Sequence, residues 1–292
     1  MRLPAWPLLK NLHDMHLAAI LSNRHHHLSG KVEAPRDSGL SLIASVLEKP
    51  KTWVLAHPEY CPTSEELKKI TQLQDRLGKG EPLPYILNYQ EFFGLPFYVS
   101  PAVLIPRPET ELLIEHALAW LQNHPGSRQA VDVGTGSGCI AIALAEAVTD
   151  LNMLAIDISY KALQVAQYNA LINQVSGKVS FRQSDLLSNI DQSFDLICAN
   201  LPYIPTSKLP DVNTLAFEPG LALDGGEDGM VSIRRLLSQC TSRLNTPALV
   251  LLEIEETTGQ AALQAAHDTI PAAQIQLHQD LAGKDRLISI SV

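Results

Sequence analysis

The chain has 292 residues, of which 46% are hydrophobic and 18% are charged, and this length and balance favour a folded protein of two domains. Its net charge of -9 opposes attraction to phosphate backbones, so no direct nucleic-acid partner is expected. No apolar run approaches the ~18 residues of a membrane span, and polar residues interrupt the opening segment before a signal-peptide core forms. We therefore predict a cytoplasmic protein without a membrane partner.

The sequence offers no convincing metal site. Its four cysteines lie far apart, without a C-x-x-C pair, and two of them are expected as small reduced side chains in the core. Three adjacent histidines at 25–27 would point about 100° apart on a helix and could not all bind one ion. No metal is predicted, and the histidines are interpreted as a solvated surface.

Residues 1–85 predict a small helical domain. Apolar residues recur at helical spacing in the segments 40–47 and 67–77. Between these segments, Thr63 precedes Ser64 and two glutamates, which is the pattern of a helix start with a capping residue. Glycines and prolines at 78–84 then end the helical pattern.

Residues 86–108 predict a β-hairpin that links two domains, because short aromatic and β-branched runs are broken there by glycine and proline. Arg107 lies between two prolines, which stiffen its backbone and present its side chain from a fixed place. We interpret this segment as a loop that faces the site, with a plain hinge as the alternative. A helix is predicted to begin near Glu109, with Pro108 in its first turn.

From residue 109 to the end, strands alternate with helices, which predicts a parallel sheet with helices on both faces. The first strand ends near Asp132 and leads into a Gly-Thr-Gly-Ser-Gly turn at 134–138 (the glycine turn) and then a helix. Glycines two residues apart let the backbone take positive φ and let a ligand approach closely. Such a turn is typical of nucleoside sites, including NAD sites, although glycine turns also join many other strands to helices.

Polar residues follow the next three strands. Asp157 ends the second strand, at the distance from the turn where a carboxylate reaches ribose hydroxyls, and Asp185 follows the third. Asn200 follows the fourth and opens an Asn-Leu-Pro-Tyr run at 200–203. The carboxyl ends of parallel strands line one crevice, so we expect Asp132, Asp157, Asp185 and Asn200 to lie together there, although each alone could be a turn residue or helix cap.

The remaining residues predict the rest of the sheet. A helix at 228–244, a buried strand at 248–254 and a helix at 259–267 precede two short strands at 275–277 and 287–290. The turn between the last two strands is too short for a parallel return, so this pair is predicted to be antiparallel.

These motifs together resemble the class I S-adenosylmethionine-dependent methyltransferases that act on amino groups, whose signature is Asn or Asp, any residue or Pro, then Pro and an aromatic. Three further stretches, at 80–86, 105–111 and 218–229, resemble the release factor glutamine N5-methyltransferases (the HemK or PrmC family). The resemblance runs from about Pro35 to the end. It implies an α/β fold with a seven-stranded mixed, Rossmann-like sheet, a small all-α N-terminal domain and a linking β-hairpin. The implied domains are 1–85 for substrate recognition, 86–108 for the linker and 109–292 for cofactor binding and catalysis.

The resemblance also implies an activity and the residues for it. Members of this family move a methyl group from S-adenosylmethionine to the amide nitrogen of the glutamine in the GGQ loop of peptide chain release factors. The implied cofactor-binding residues are Gly134, Thr135, Gly136, Ser137, Gly138, Asp157, Asp185, Leu186 and Asn200. The implied catalytic residues are Asn200, Pro202 and Tyr203, and the implied substrate contacts are Asn200, Leu201, Pro202, Tyr203, Arg107 and Glu109. A monomer is implied as well, because the family enzyme docks one protein loop.

The run at 200–203 suits this chemistry. An amide nitrogen is a poor nucleophile, so the enzyme must chiefly position and polarise it. The side-chain oxygen of Asn200 and the carbonyl of Leu201 could accept the two amide hydrogens, and Pro202 would restrict Leu201 to an extended conformation. Tyr203 would pack against the substrate chain.

The chain departs from the family in three places, and three alternatives stay open. Leu201 replaces the usual first proline, an acidic run at 253–256 replaces the acidic-glycine pattern after strand five, and residues 1–34 match poorly. A ribosomal-protein glutamine methyltransferase would share nearly every motif. An rRNA adenine N6-methyltransferase shares Asn-Leu-Pro-Tyr but is disfavoured by the acidic charge and the stretch at 105–111. A catalytically silent adaptor is disfavoured by the intact run at 200–203.

Overall fold

A computed structural model of the chain describes residues 16–28, 34–126, 128–211 and 217–292. The chain divides into two compact units, Met1–Leu87 and Asn88–Val292. The side chains of the histidines at 25–27 lie outside the described residues. No helix in the described ranges is long and apolar enough to cross a membrane.

In the part that the structure describes, the first unit consists of helices and their connections, as predicted. Its helix α4 (Ser64–Gly78) begins with a reciprocal capping box, in which Thr63 Oγ1 accepts from Glu66 N at 3.2 Å and the Glu66 carboxylate accepts from Thr63 N at 2.6 Å. Its core includes the fully buried Leu42, Ile43 and Ile70. The helices are α1 (Leu17–Leu28), α2 (Pro35–Leu47), α3 (Lys51–Ala56), α4 (Ser64–Gly78) and α5 (Leu83–Leu87).

The second unit opens with the predicted hairpin. Strands β1 (Gln90–Phe92) and β2 (Leu95–Phe97) pair antiparallel. Phe92 and Phe97 are buried and meet edge to face, with ring centroids 6.1 Å apart. This aromatic pair anchors the hairpin in the core of the second unit.

A seven-stranded mixed sheet forms the centre of the second unit. Its strands are β3 (Arg128–Val133), β4 (Leu151–Asp157), β5 (Val179–Gln183), β6 (Phe194–Ala199), β7 (Leu244–Glu253), β8 (Gln274–Gln279) and β9 (Asp285–Ser291). The strand order is β5-β4-β3-β6-β7-β9-β8. Strands β3 to β7 run parallel, and β9 pairs antiparallel with both β7 and β8, so the predicted antiparallel last pair is confirmed.

Helices cover both faces of the sheet, which confirms the predicted class. Helices α6, α7 and α8 share one buried apolar cluster, and α9 and α10 contribute to the cluster on the other face. The longer helices are α6 (Glu111–Asn123), α7 (Cys139–Ala147), α8 (Tyr160–Ile172), α9 (Val231–Cys240) and α10 (Gly259–Thr269). Short 3-10 helices span Pro108–Thr110, Thr206–Asp211 and Gly220–Ala222.

The helix predicted at 228–244 was too long at both ends. Gly229 takes a φ of +78°, and the Asp228 carboxylate accepts from Met230 N at 3.1 Å, so α9 begins only at Val231. At the other end, Leu244 pairs with Phe194 as the first residue of β7. Local turn chemistry and strand pairing therefore override the helical pattern.

The strand order fixes the place of the site. The chain reverses its direction of strand addition between β3 and β6, which are neighbours although β4 and β5 lie between them in sequence. In open α/β sheets, ligands bind at such a switch point, outside the carboxyl ends of the strands. Here those two ends lead into the glycine turn and the run at 200–203.

Candidate active site

The glycine turn has the conformation that its sequence predicts. Gly134, Gly136 and Gly138 have φ of +74°, +55° and +83°, which L side chains rarely adopt. The amides of Gly134 and Thr135 both donate to the Ile156 carbonyl at 2.9 Å. The turn is therefore bound to the end of β4.

The run at 200–203 packs directly on this turn. A Cβ added at Gly134 would lie 3.0 Å from Leu201 Cδ2 and 4.0 Å from the Asn200 carbonyl oxygen. Leu201 is buried, so the residue that departs from the family pattern fills the space above the turn. A side chain at position 134 would press against the Leu201 side chain.

Asp132 holds the turn and does not line the cavity that we expected it to face. It is fully buried, and its Oδ2 accepts from Thr135 Oγ1 at 2.6 Å and from Ala141 N at 3.2 Å. Burial raises its pKa to about 7. Asp132 thus ties the turn to the first residues of α7.

Gly138 and Asn169 support the glycine turn on the side of α7 and α8. Asn169 was not predicted from the sequence. A Cβ at Gly138 would lie 2.9 Å from Ile142 Cδ1 and 3.3 Å from Ala166 Cα, so this glycine lets α7 pack against α8. Asn169 Nδ2, on α8, donates to the Ser137 carbonyl at 2.8 Å. Gly138 does not itself line the cavity among the described residues.

Asp157 lies at the cavity with both carboxylate oxygens engaged. Its Oδ2 accepts from Gly136 N at 2.9 Å, and its Oδ1 accepts from Ser159 N at 2.8 Å. Burial raises its pKa above the usual value, against the lowering effect of these backbone donors. Each oxygen keeps further lone pairs for a ligand hydroxyl.

Asn200 is oriented by Thr110, a second residue that sequence reasoning missed. Asn200 Nδ2 donates to Thr110 Oγ1 at 3.0 Å, and Thr110 is buried at the start of α6. Within the described part of the chain, no donor bonds to Asn200 Oδ1. This oxygen is available to a substrate at the cavity wall.

Tyr203 turns away from the cavity toward a buried acid. Its hydroxyl donates to Glu253 Oε1 at 3.4 Å, and burial beside Glu253 raises the pKa of Tyr203. Glu253, at the end of β7, is 2% exposed, and burial raises its pKa to about 7.

Arg107 and Glu109 lie in different surroundings. Arg107 lines the cavity, and its Nη2 donates to Glu218 Oε2 at 2.6 Å. The same buried carboxylate accepts from Ile105 N at 3.2 Å. Glu109 is exposed and does not line the cavity within the described ranges. Glu218, also missed by sequence reasoning, thus joins the stretches at 105–111 and 218–229.

The glycines at 225 and 229 let the stretch at 218–229 lie against the run at 200–203. A Cβ at Gly225 would lie 2.7 Å from Tyr203 Cα and 2.8 Å from the Pro202 carbonyl oxygen, and one at Gly229 would collide with the Tyr203 carbonyl. The nearby atoms belong to the backbone and cannot easily move aside. These glycines therefore help to set the position of Pro202 and Tyr203.

One cavity of about 230 Å³ brings most of the predicted residues together. It also includes Ser232 and Arg235 of α9, and Arg235 forms an ion pair with Asp185 at 2.7 Å. Within the described ranges, the predicted residues outside its lining are Asp132, Gly138, Tyr203 and Glu109. The predicted residues that line it are Arg107, Gly134, Thr135, Gly136, Ser137, Asp157, Asp185, Leu186, Asn200, Leu201 and Pro202.

Comparison with known proteins identifies the family. Residues 108–214 match the methyltransferase small domain, and residues 19–87 match the PrmC N-terminal domain. The release factor glutamine methyltransferase of Lactococcus lactis subsp. lactis (strain IL1403) is 40% identical over 230 residues, which cover 78% of this chain and 84% of that protein. The chain belongs to the release factor glutamine methyltransferase family.

Further comparisons agree with membership in this family of methyltransferases. The release factor glutamine methyltransferase of Koribacter versatilis (strain Ellin345) is 41% identical over 233 residues, covering 78% of this chain and 82% of that protein. The catalytic domain of hMettl16, in complex with the MAT2A 3'UTR hairpin 6, matches with a TM-score of 0.56 over 72% of this chain and 79% of that one, and its 18% identity supports the fold alone. The N-terminal match begins at residue 19, upstream of Pro35, where we expected the resemblance to begin.

The missed residues had weak sequence signals. Thr110 and Glu218 lie within two stretches that carried the resemblance, and Glu253 is the one charged residue in the predicted apolar strand at 248–254. Asn169 lies on a helix with no signal that separates it from an ordinary polar position. Their partners come from distant segments, so only the folded structure reveals the contacts.

Proposed function

We propose that the chain transfers a methyl group from S-adenosylmethionine to the amide nitrogen (N5) of the glutamine in the GGQ loop of peptide chain release factors. The observation that carries this proposal is the side-chain amide of Asn200, whose Nδ2 is bound to Thr110 and whose Oδ1 is available at the cavity. Asn200 Oδ1 and the neighbouring Leu201 carbonyl are two acceptors, and together they suit an NH2 group with two hydrogens to donate.

The residues around the cavity fit S-adenosylmethionine. Gly134 and Gly136 line the cavity without a side chain, so the backbone of the glycine turn could approach the methionine part closely. Asp157 would accept from the ribose hydroxyls, and Asp185 with Leu186 would lie against the adenine. When bound, S-adenosylmethionine supplies an electrophilic sulfonium methyl group.

The protein's part in the reaction is to position and polarise the glutamine amide. Asn200 Oδ1 and the Leu201 carbonyl would each accept one amide hydrogen, and this favours a pyramidal nitrogen with its lone pair turned toward the methyl group. Pro202 restricts the backbone of Leu201. Tyr203 would contact the substrate chain with its ring while Glu253 holds its hydroxyl, and Arg107 and Glu109 would lie near the substrate entrance.

We also propose a role for each domain. Residues 1–85 would recognise the substrate, and residues 86–108 would connect this domain to the next. Residues 109–292 would bind S-adenosylmethionine and catalyse methyl transfer. The separation into compact units near residue 87 supports a boundary there. The protein is proposed to act as a monomer, since its substrate is one protein loop. It is also proposed to act in the cytoplasm.

Transfer of radiolabelled methyl groups to three acceptors tests the proposal. Purified release factor, ribosomal protein and RNA are each incubated with the protein and labelled S-adenosylmethionine, and Asn200→Ala serves as the inactive control. Label is expected in the release factor. Label confined to ribosomal protein would support the alternative glutamine substrate, and label in RNA alone would refute amide methylation. Bound cofactor without transfer to any acceptor would favour a silent adaptor.

A further inference from the structure

Leu186, which lines the cavity, has a backbone conformation that is rare for its residue type. Its φ is +51°, in the left-handed region, where the Cβ of an L side chain crowds the backbone. Such a conformation persists only where the surrounding contacts hold it, and residues of this kind cluster at ligand sites. The contacts of residues 184–188 (the Leu186 segment) should therefore account for it.

The Leu186 segment is bound to β4 on one side and to α9 on the other. On the side of β4, the Ser184 amide donates to the Asp157 carbonyl at 3.0 Å. On the side of α9, the Leu187 amide donates to Gln239 Oε1 at 2.7 Å. Leu186 lies between these two attachments, so its backbone is fixed from both ends.

One face of α9 provides the contacts to this segment. Ser232, Arg235 and Gln239 are spaced by three and four residues, which places them on the same side of a helix. Ser232 and Arg235 line the cavity, and Gln239 Nε2 also donates to Ser188 Oγ at 3.3 Å. Buried residues of the same helix anchor it in the apolar core, and these are Ile233, Leu236, Leu237 and Cys240.

The two links from α9 to the segment differ in strength. Arg235 Nη2 and Asp185 Oδ2 lie 2.7 Å apart, but the two side chains are 48% and 45% exposed. Ion pairs so exposed contribute little, because water and salt screen them. The hydrogen bond from the Leu187 amide to Gln239 is part-buried, and Leu187 is 2% exposed, so loss of the acceptor would leave a buried amide unpaired. Gln239 is therefore the stronger link.

We propose that Gln239 is a positioning residue for the cofactor, because it holds the Leu187 amide and thereby keeps Leu186 in its left-handed conformation at the cavity. This inference rests on the proposed function, in which Asp185 and Leu186 lie against the adenine of S-adenosylmethionine. Without the bond to Gln239, Leu186 can relax to negative φ, and the segment then occupies its binding conformation for only part of the time. The apparent affinity for the cofactor falls by that fraction.

Calorimetric titration of the full-length protein with S-adenosylhomocysteine, the demethylated form of the cofactor, tests this inference. Gln239→Leu removes the acceptor and should raise Kd about tenfold, the effect of one lost hydrogen bond, with no dependence on salt. Arg235→Met should raise Kd by about threefold or less, and this effect should shrink as salt rises. Ser238→Leu, at an exposed position of the same helix, is the control and should leave Kd unchanged. An unchanged Kd in Gln239→Leu, or a larger loss in Arg235→Met, would overturn the inference.

A conservative variant separates positioning from a general loss of packing. Gln239→Glu keeps a side-chain oxygen at the same reach as an acceptor for the Leu187 amide, so it should restore most of the affinity that Gln239→Leu loses. In methyl transfer, the KM for S-adenosylmethionine should rise in parallel with Kd in Gln239→Leu, with little change in kcat. Equal Kd values in the Glu and Leu variants would contradict a role for this hydrogen bond.

Hydrogen exchange in the protein without cofactor distinguishes a failure of this inference from a failure of the proposed function. The Leu187 amide should exchange about tenfold faster in Gln239→Leu than in the wild type, because its acceptor is lost. The Ser184 amide, which is bound to Asp157, should exchange at an unchanged rate. Equal Leu187 rates in the two proteins would refute the hold on Leu186. Failure of the wild type to bind S-adenosylhomocysteine would instead refute the proposed function, and faster Leu187 exchange in the variant would still support the hold.

Discussion

Three buried acids lie at or near the ends of the parallel strands β3, β4 and β7, and each has a different task. Asp132 ties the glycine turn to α7, Asp157 faces the cavity, and Glu253 accepts from the Tyr203 hydroxyl. Burial raises the pKa of all three. An acid at a strand end therefore does not by itself indicate a ligand contact, because only one of these three lines the cavity.

The first prediction at the residue scale concerns Asn200→Asp. The aspartate oxygens can still accept from a substrate, but an ionised aspartate cannot donate to Thr110 Oγ1 as Asn200 Nδ2 does. We expect kcat to fall by about tenfold to a hundredfold, the range for one hydrogen bond that involves a charge. The measurement is kcat for transfer of labelled methyl groups to the release factor at saturating S-adenosylmethionine. Full activity in this variant would show that the amide NH2 group is dispensable.

A second prediction at this scale concerns the charge of Asp132. Its pKa is about 7 in the fold and about 3.9 in an unfolded chain, so the folded state binds the proton more tightly. The proton on Asp132 therefore stabilises the folded protein fully at a pH below the pKa of the unfolded chain. This stabilisation is lost as the pH rises through the pKa of Asp132 in the folded protein.

The measurement compares Asp132→Asn with the wild type by urea unfolding. Between pH 5 and pH 8.5, the wild type should lose about 2 kcal/mol of unfolding free energy relative to the variant, which has no proton to lose. The exposed Asp150 provides the control variant Asp150→Asn, for which no such relative change is expected. A constant difference across this pH range would contradict the buried, titrating carboxyl.

At the scale of elements, two loops fix the run at 200–203. The stretches at 105–111 and 218–229 are joined by the Arg107 and Glu218 ion pair at 2.6 Å, and Glu218 is buried. The first stretch supplies Thr110 to Asn200. The second lies against Tyr203 through glycines. The family-specific stretches thus act together on the residues that direct the chemistry.

The third prediction tests the close approach of the second loop. Gly225→Ala would place a Cβ 2.7 Å from Tyr203 Cα and 2.8 Å from a Pro202 backbone atom, so it should destabilise the protein by about 2 kcal/mol and lower kcat. Gly220→Ala, in the same stretch, meets nothing within 4 Å and is the matched control. Equal unfolding free energies for the two variants would contradict the packing.

Much of the fold, but less of the site, could be predicted from sequence. The strands before Asp157 and Asn200 are apolar runs with polar ends, so period and position were sufficient to predict them. The hydrogen bond from Asn200 to Thr110 was not predictable, because Thr110 lies 90 residues before Asn200 in the chain and reaches it only in the folded protein. The length of α9 was mispredicted for a related reason, because Leu244, its last predicted residue, pairs with Phe194 as part of β7.

At the scale of the whole molecule, two apolar clusters enclose the sheet and bury three of the four cysteines. Cys139, Cys198 and Cys240 are buried, whereas Cys61 is exposed. Burial raises the pKa of Cys139 and of Cys240 to about 12. Their reactive thiolate forms are therefore scarce at neutral pH.

The fourth prediction follows for thiol labelling. In the native protein, Cys61 should react rapidly with an aromatic disulfide reagent, and the buried thiols should react only after unfolding. Cys61→Ser should abolish the fast phase. Rapid reaction of a second thiol in the native protein would contradict the close packing around the sheet.

The most direct test of the account is to locate the transferred methyl group on a release factor by tandem mass spectrometry. After incubation with S-adenosylmethionine, we predict a single added methyl group on the side-chain amide of the GGQ glutamine. Replacement of that glutamine by asparagine in the release factor should abolish the modification, as should Asn200→Ala in the enzyme. A methyl group on any other residue, or one that persists without the glutamine, would contradict the account.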